Sequence, residues 1–337
     1  GEVQGANLLD WPIDGDEMAP WYTKAEDKLG VTQTGDRPAL PGSNNYLVFE
    51  KGAKALGYER VHTGNMAINS DENRDRAMCQ QTGFCFQGCK WGAKWSAAYV
   101  DIPEGEATGN LEVRDHSHVA RILHNDEGRV TGVEYYDKDG NLQTQMARVI
   151  CVAGNSFESP RLLLNSASEM YPDGMANSSG QVGRNYMRHM TGSVYGVFDK
   201  PVKMWRGTTM AGIIQDESRH DPERGFVGGY ELETLSLGLP FMAAFLDPGA
   251  WGREFTSALD SYENMAGMWI VGEDMPQETN RITINHDVKD QFGISVVNVH
   301  FDDHPNDIAM RDHAYKQGQA VYDAVGATRT LPTPPYP

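Results

Sequence analysis

Three of the four cysteines in this 337-residue chain lie within one short stretch, "CQQTGFCFQGCKWGAKWS". Five residues separate Cys79 from Cys85, and three separate Cys85 from Cys89. Thiolates are soft ligands, and such short spacings allow one loop to wrap an iron–sulfur cluster. A closed zinc site would need a fourth ligand, such as His62 or His116, from elsewhere in the chain. A Cys85–Cys89 disulfide would leave an odd thiol, and three small buried side chains would need no chemistry, so the residues alone leave these alternatives open.

The fourth cysteine and a group of histidines are further candidate ligands. Cys151 lies in an apolar segment, which predicts a core position rather than a ligand. In "HFDDH", the residues His300, Asp302 and His304 would share one strand face only if the strand continues to Pro305. Solvated or hydrogen-bonded side chains are the usual outcome for such a group, and we expect them here.

Signals for phosphate binding and for a substrate pocket are weaker. Neither a G-x-G-x-x-G sequence nor a P-loop occurs, so the chain brings no phosphate-binding loop of its own. A predicted strand ends at Gly154, where a small residue allows a cofactor close approach, although an ordinary strand-to-helix turn fits as well. Glu273 and Asp274 directly follow the apolar run "MWIVG" and are the best-placed carboxylates for a pocket, although an acidic turn also explains them.

Composition restricts the class of protein. A chain of this length can bury two ordinary hydrophobic cores, which predicts two structural units. The net charge of −18 argues against binding to nucleic acid. The longest apolar runs are too short for a bilayer span, and the first residues lack the pattern of a signal peptide.

The hydrophobic periodicity predicts an α+β chain. Helices are expected in residues 10–30, with Asp16 as a possible cap, and after Ser43, while the cysteine stretch reads as a loop. Residues 111–152 contain β-rich runs separated by "DEG" and "KDGN", which predicts an antiparallel meander. Its last strand, Val149 to Val152, leads to Ala153, and Ser159 is expected to cap the following helix.

The chain is β-rich from about residue 191. Strands are predicted in "MWIVGEDMP", "NRITINHD" and "SVVNVHFDD", and one long amphipathic helix is predicted from about Asn306. The Pro-rich end "TRTLPTPPYP" reads as an interruption rather than as the close of a fold.

Several of these stretches together resemble the glucose–methanol–choline (GMC) family of FAD-dependent oxidoreductases. "GNSFESPRLLLNSA" resembles the second family signature, and "VGRNYMRH" is similar to the family's Val-Gly-Arg-Asn-Leu-x-x-His segment. "DWPIDGDEMAPWYTKAEDKLG", the meander and "NRITI" match in the same order, so the resemblance covers nearly the whole chain.

The resemblance implies an FAD-dependent dehydrogenase that oxidises an alcohol group of a sugar, polyol or other alcohol. Residues 1–190 would form an incomplete α/β FAD-binding domain with the meander, and residues 191–337 a substrate domain with an antiparallel sheet flanked by helices. Val119 would meet the adenine through its backbone, and Ala153 and Gly154 would pack against the dinucleotide. Glu273 and Gln277 are the candidate pocket residues.

The cysteine loop resembles that of the multi-subunit sugar and polyol dehydrogenases. This likeness implies that Cys79, Cys85 and Cys89 hold a three-iron–four-sulfur cluster, which passes electrons from flavin to a cytochrome c partner. Small chaperone-like subunits are further expected partners, and relatives with such a cluster imply a periplasmic location, with the cytoplasm as the alternative.

The resemblance also implies that the chain is an internal fragment. The Gly-rich start that binds the FAD pyrophosphate and the catalytic histidine segment have no counterpart here, so catalytic residues are expected beyond Pro337 and the fragment alone is expected to be inactive. The alternatives are an oxygen-using alcohol oxidase with structural cysteines and a non-catalytic fragment or binding subunit.

Overall fold

The computed structural model describes residues 3–334, apart from residues 74, 240, 241, 243–245, 247, 248 and 250. The chain divides into two units, each built from separated segments. The first unit contains the described residues up to Leu9, Gly109–Arg188 and Met275–His304. The second unit contains Asp10–Thr108, His189–Asp274 and the described residues from Pro305 onward. The assignment of cofactor and substrate roles to residues 1–190 and 191–337 stays a prediction.

The described part of the chain contains six α-helices and eleven strands. The helices are α1 (Gly15–Leu29), α2 (Asn44–Ala55), α3 (Asp101–Ala107), α4 (Asn155–Asn165), α5 (Arg253–Asp260) and α6 (Pro305–Asp323). The strands are β1 (Val61–Thr63), β2 (His118–His124), β3 (Val130–Tyr136), β4 (Leu142–Met146), β5 (Met190–Val197), β6 (Gly212–Ile214), β7 (Tyr230–Thr234), β8 (Met265–Gly272), β9 (Arg281–Lys289), β10 (Ser295–His300) and β11 (Arg329–Pro332). The predicted α+β class is confirmed, because helices are combined with antiparallel sheets.

The first unit holds the predicted meander and a hairpin. Strands β2, β3 and β4 pair antiparallel in that order, and β9 pairs with β10. Asn125 and Asp137 accept backbone N–H groups within their own turns, which fixes the two connections of the meander. Helix α4 packs against β2 and against the β9–β10 hairpin.

The end of the meander differs from the prediction. The last pairing strand is β4, and Ala147 adds one further backbone hydrogen bond to Thr131. The predicted strand from Val149 to Val152 is wrong, because these residues pair with no strand in the described structure. A strand requires a neighbour for its backbone groups, and an apolar sequence alone does not supply one.

A six-stranded antiparallel sheet organises the second unit, with the strand order β1-β6-β7-β8-β5-β11. Helices α2 and α6 cover one face, where Phe49 and Tyr322 pack on Val194, Leu232 and other buried apolar side chains of the sheet. The two helices approach closely at Gly52 of α2, where an added Cβ would lie 2.1 Å from the carbonyl oxygen of Val321 in α6. The predicted antiparallel sheet flanked by helices is therefore confirmed, and its role as a substrate domain stays a prediction. No helix in the described part of the chain has the length and apolar character that a bilayer crossing requires.

Candidate functional site

The first unit contains a cavity of about 780 Å³ between the meander and the start of α4. Val119, Ala153 and Gly154 all line it, so the fold brings together the three residues that the family resemblance assigns to the cofactor. Strand β2 is an edge strand of its sheet, so in the described part of the chain no strand neighbours the peptide groups on its outer side. An edge of this kind can hydrogen-bond a planar ligand through its backbone.

The walls of this cavity are largely apolar and open to solvent. Val119 is 39% exposed and Val149 is 78% exposed, although valine side chains are usually buried. Cys151 also lines the cavity and is exposed, so the prediction that it is a core residue is wrong. Its segment pairs with no described strand, and nothing in the described part of the first unit covers it. Apolar walls with few polar groups and a volume of several hundred Å³ are typical of small-molecule and cofactor sites.

Helix α4 begins at the mouth of this cavity, and earlier than predicted. Its first residue is Asn155, whose side-chain oxygen accepts the backbone N–H groups of Phe157 at 2.8 Å and Glu158 at 3.2 Å. Ser159 lies inside the helix, and its hydroxyl accepts the N–H of Gly154 at 2.9 Å. The prediction of Ser159 as the cap is therefore wrong, because Asn155 satisfies the first free N–H groups instead. The serine fixes the backbone of Gly154 at the cavity wall.

Arg161 connects α4 to the β9–β10 hairpin. Its side chain is largely buried, lines the cavity, and donates to the Ser295 carbonyl at 2.9 Å and to the Asp290 carboxylate at 2.6 Å. Burial acts to raise the pKa of Asp290, but hydrogen bonds from Arg161 and from two backbone N–H groups outweigh it and lower the pKa. The carboxylate is therefore kept ionised and holds the guanidinium at the cavity.

The cysteine loop belongs to the second unit. Cys79, Cys85 and Cys89 are free thiols that line one cavity of about 30 Å³. Burial is the main cause that raises the pKa of Cys79, a hydrogen bond from Gln81 opposes it, and the two neighbouring thiols raise the pKa further. Among the described residues, no group of three or more His, Cys, Asp or Glu side chains is arranged to hold a metal ion. The donor atoms suit a cluster, but their arrangement does not fit one.

The histidine group behaves as the sequence predicts. Strand β10 ends at His300, so His300, Asp302 and His304 do not share a strand face. His300 contacts the carboxylate of Asp302 at 3.0 Å on the exposed surface, and His304 contacts the Gln4 carbonyl at 2.9 Å.

The two predicted pocket residues lie in different units. Glu273, in the second unit, accepts the N–H of Gly229 at 3.3 Å. Gln277, in the first unit, donates to the Asp302 carbonyl at 2.9 Å. Neither residue lines the cavity of the first unit or the small cavity of the cysteine loop, and their role in a substrate pocket stays a prediction.

Comparison with known proteins identifies the family. The sequence profile described as GMC oxidoreductase matches residues 5–191, which is more than half of the chain. This chain belongs to the GMC oxidoreductase family. Members of the family are generally dehydrogenases or oxidases that act on CH–OH donors, and they typically bind FAD.

Individual relatives in this family are longer than the part of their sequence that this chain matches. The chain is 29% identical to 2-methyl-1,2-propanediol dehydrogenase of Mycolicibacterium austroafricanum, over 96% of the chain and 62% of that protein. It is 26% identical to fructose dehydrogenase large subunit of Gluconobacter japonicus, over 87% of the chain and 56% of that protein. It is 34% identical to paromamine 6'-oxidase of Streptomyces fradiae, over 59% of the chain and 38% of that protein. The chain thus spans about six-tenths or less of the length of these relatives.

A solved structure supports the fold of the GMC oxidoreductase. The crystal structure of formate oxidase superposes with a TM-score of 0.52 at 14% identity, over 94% of this chain and 54% of that one. At this identity the match shows the fold alone.

Two features of the GMC oxidoreductase were not found from the sequence. Arg161 can be recognised as a residue of the cavity wall only when the β9–β10 hairpin is known to pack against α4. Glu233 lines a second cavity, of about 380 Å³, in the second unit. Strand β7, "YELET", alternates apolar and acidic residues, and this alternation was a usable signal that one acidic side chain faces a covered region.

Proposed function

We propose that the full-length protein is an FAD-dependent dehydrogenase that oxidises an alcohol group of a sugar, polyol or other alcohol. The observation that carries this proposal is the convergence of Val119, Ala153 and Gly154 on one open, apolar cavity in a chain of the GMC family. The named relatives include dehydrogenases of a diol and of a sugar, which supports the substrate class.

In this proposal the residues of the chain bind and orient the cofactor. The exposed edge of β2 would meet the adenine, and the turn held by Ser159 would receive the dinucleotide beside Gly154. Arg161 is the cation in the cavity wall, and Asp290 holds it in place. When bound, FAD supplies the acceptor for the hydride of the alcohol.

The test compares two variants of the full-length protein. Ala153→Phe places a large ring in the cavity wall, while Ala324→Phe makes the same change at an exposed position near the end of α6. We expect wild type and Ala324→Phe to contain flavin that is bleached anaerobically by a polyol or simple alcohol. Ala153→Phe should fold but retain much less flavin. A wild-type protein without flavin would contradict the proposal and favour a non-catalytic binding subunit.

A second candidate adds electron transfer through an iron–sulfur cluster to a cytochrome c partner, with a periplasmic location. What supports it is the shared cavity of Cys79, Cys85 and Cys89, together with the likeness to a fructose dehydrogenase large subunit. Because the thiols do not form a ligand set as they stand, the proposal requires the loop to rearrange around the cluster.

Iron analysis of matched variants decides this second candidate. Cys85→Ser should remove iron and acid-labile sulfide and should abolish reduction of a one-electron acceptor, while flavin reduction by the alcohol remains. Cys151→Ser, in the first unit, is the control for iron and sulfide content alone, because Cys151 is exposed and lines the cofactor cavity. Absence of iron in the wild type, together with release of hydrogen peroxide, would favour the oxidase alternative that the likeness to paromamine 6'-oxidase suggests.

A further inference from the structure

The tip of the β9–β10 hairpin, residues 289–294, contacts the start of β2 within the first unit. One carboxylate oxygen of Asp290 accepts the N–H groups of Phe292 at 2.8 Å and Ile294 at 3.0 Å. Gly293 has a φ of 77°, a left-handed conformation that glycine adopts without strain. The tip is therefore a fixed turn that holds Phe292 in place.

The ring of Phe292 contacts two rings of the meander. It stacks on His118, the first residue of β2, with 4.9 Å between the ring centroids. It also stacks on Tyr136, the last residue of β3, with 4.8 Å between the centroids. His118 and Tyr136 are partners in register, so one side chain of the hairpin holds both strand ends. We call His118, Tyr136 and Phe292 the ring clamp.

The backbone pairing alone fixes the start of β2 poorly. The register between β2 and β3 shifts between Val119 and Arg121, so only His118 and Val119 pair with β3 before this irregularity. On the outer side of β2, no strand of the described structure lies beside these residues. His116, just before the strand, has a φ of 48°, which is uncommon for a residue other than glycine. The position of the Val119 peptide group therefore depends on the ring clamp.

This position matters for the cofactor. His118 and Val119 line the cavity of the first unit, and in the proposed function the backbone of Val119 meets the adenine. A backbone hydrogen bond is strong only between about 2.7 and 3.2 Å, so a displacement of β2 by about 1 Å would weaken it. Phe292 does not itself line this cavity, so it can act on the cofactor only through His118 and the strand.

We infer that Phe292 is a positioning residue for the cofactor, because its ring holds the edge of β2 where the adenine half of FAD binds. The inference rests on the proposed function and adds to it a residue from outside the cavity. It assigns no step of alcohol oxidation to Phe292.

FAD binding to the full-length apoprotein measures this role. Phe292→Ala removes both ring contacts, and we expect it to raise the Kd for FAD by about fivefold or more. Phe292→Tyr keeps the ring, and Phe292 lines a neighbouring cavity of about 810 Å³ that has room for a hydroxyl group. This conservative variant should keep the Kd within about twofold of the wild-type value.

Tyr171→Ala is the matched control at the other end of β2. The ring of Tyr171 contacts His124, the last residue of β2, with 5.0 Å between the centroids, and Tyr171 does not line the cofactor cavity. The control thus loses a ring contact with the same strand in the same unit. It should keep the Kd for FAD within about twofold of the wild-type value, even if its melting temperature falls.

Two further measurements separate positioning from a general loss of structure. ADP, the adenine half of the cofactor, should compete with FAD, and its inhibition constant should rise in Phe292→Ala by a factor similar to that for FAD. Hydrogen exchange of the apoprotein should be faster in residues 117–120 of Phe292→Ala and unchanged in residues 150–154, which line the same cavity. Equal loosening of both segments would indicate a structural role only and would contradict the inference.

The outcomes for the inference and for the proposed function are distinct. If the wild type binds FAD and the Kd values of Phe292→Ala and Tyr171→Ala are equal, the inference is wrong and the proposed function stands. Weaker FAD binding with unchanged ADP binding in Phe292→Ala would also overturn the inference. A wild type that binds no FAD would refute the proposed function, and the inference with it.

A second variant covers the case in which Phe292→Ala does not fold. Phe292→Leu keeps much of the apolar volume but removes the ring. It should weaken the binding of both FAD and ADP, and wild-type Kd values in this variant would count against the ring clamp.

Discussion

Replacement of Arg161 by methionine should loosen the β9–β10 hairpin from α4 at the cofactor cavity. The substitution keeps the apolar stem of the side chain but removes the donors to Ser295 and Asp290. Breaking a buried ion pair costs about 3–5 kcal/mol. Asp290 would keep two backbone N–H donors and its side chain is 18% exposed, so we expect a smaller loss of about 2–4 kcal/mol.

Hydrogen exchange measured by mass spectrometry on the full-length protein reports this local loss. A factor of ten in rate corresponds to about 1.4 kcal/mol, so amides of residues 281–300 should exchange about 30- to 700-fold faster in Arg161→Met. Arg129→Met is the control, because Arg129 lies exposed in a turn of the same unit. Adding Asp290→Asn to Arg161→Met should cost less than the sum of the single losses, with a coupling of about 1–3 kcal/mol. Equal exchange in Arg161→Met and in the control would refute the role of Arg161.

Three further outcomes concern the second unit. Arg224→Met should destabilise this unit by about 3–5 kcal/mol in thermal denaturation, because it breaks a buried ion pair with Glu217. The two groups lie 2.7 Å apart, and their side chains are only 10% and 14% exposed. A loss below about 1 kcal/mol would count against this prediction. Burial lowers the pKa of His313, so the unfolded state takes up the proton first and stability should fall as the pH drops below about 6.5; His313→Gln should flatten this slope. Burial in the fold raises the pKa of Glu233, so ionisation of this carboxyl group lowers the stability of the folded protein as the pH rises above about 4.3. Glu233→Gln should therefore raise the melting temperature at pH 7 but not at pH 4.

Local signals in the sequence predicted elements whose ends are set by short-range hydrogen bonds. Ser43 caps α2 as predicted, and its hydroxyl accepts the N–H of Tyr46. The turn at Asp137 likewise closes the β3–β4 hairpin within a few residues. The start of α4 was misplaced because both Asn155 and Ser159 are good capping residues, and their sequence does not tell which one accepts the free N–H groups.

Features that depend on distant partners were not predictable in the same way. The apolar segment from Val149 to Val152 has a strand-like sequence, but no described strand pairs with it. The cavity that holds Val119 and Gly154 was expected only through the family resemblance. Glu233 faces a cavity because β7 lies between β6 and β8, and this order follows from non-local pairing.

Hydrogen exchange of the full-length protein, with its flavin and after removal of the flavin, would show where the dinucleotide lies. We predict that bound FAD slows exchange in residues 117–120 and 150–154, which line the cavity of the first unit, and leaves the β3–β4 turn unchanged. Protection confined to other segments, or none at all in a protein that contains flavin, would contradict the assignment of this cavity to the cofactor.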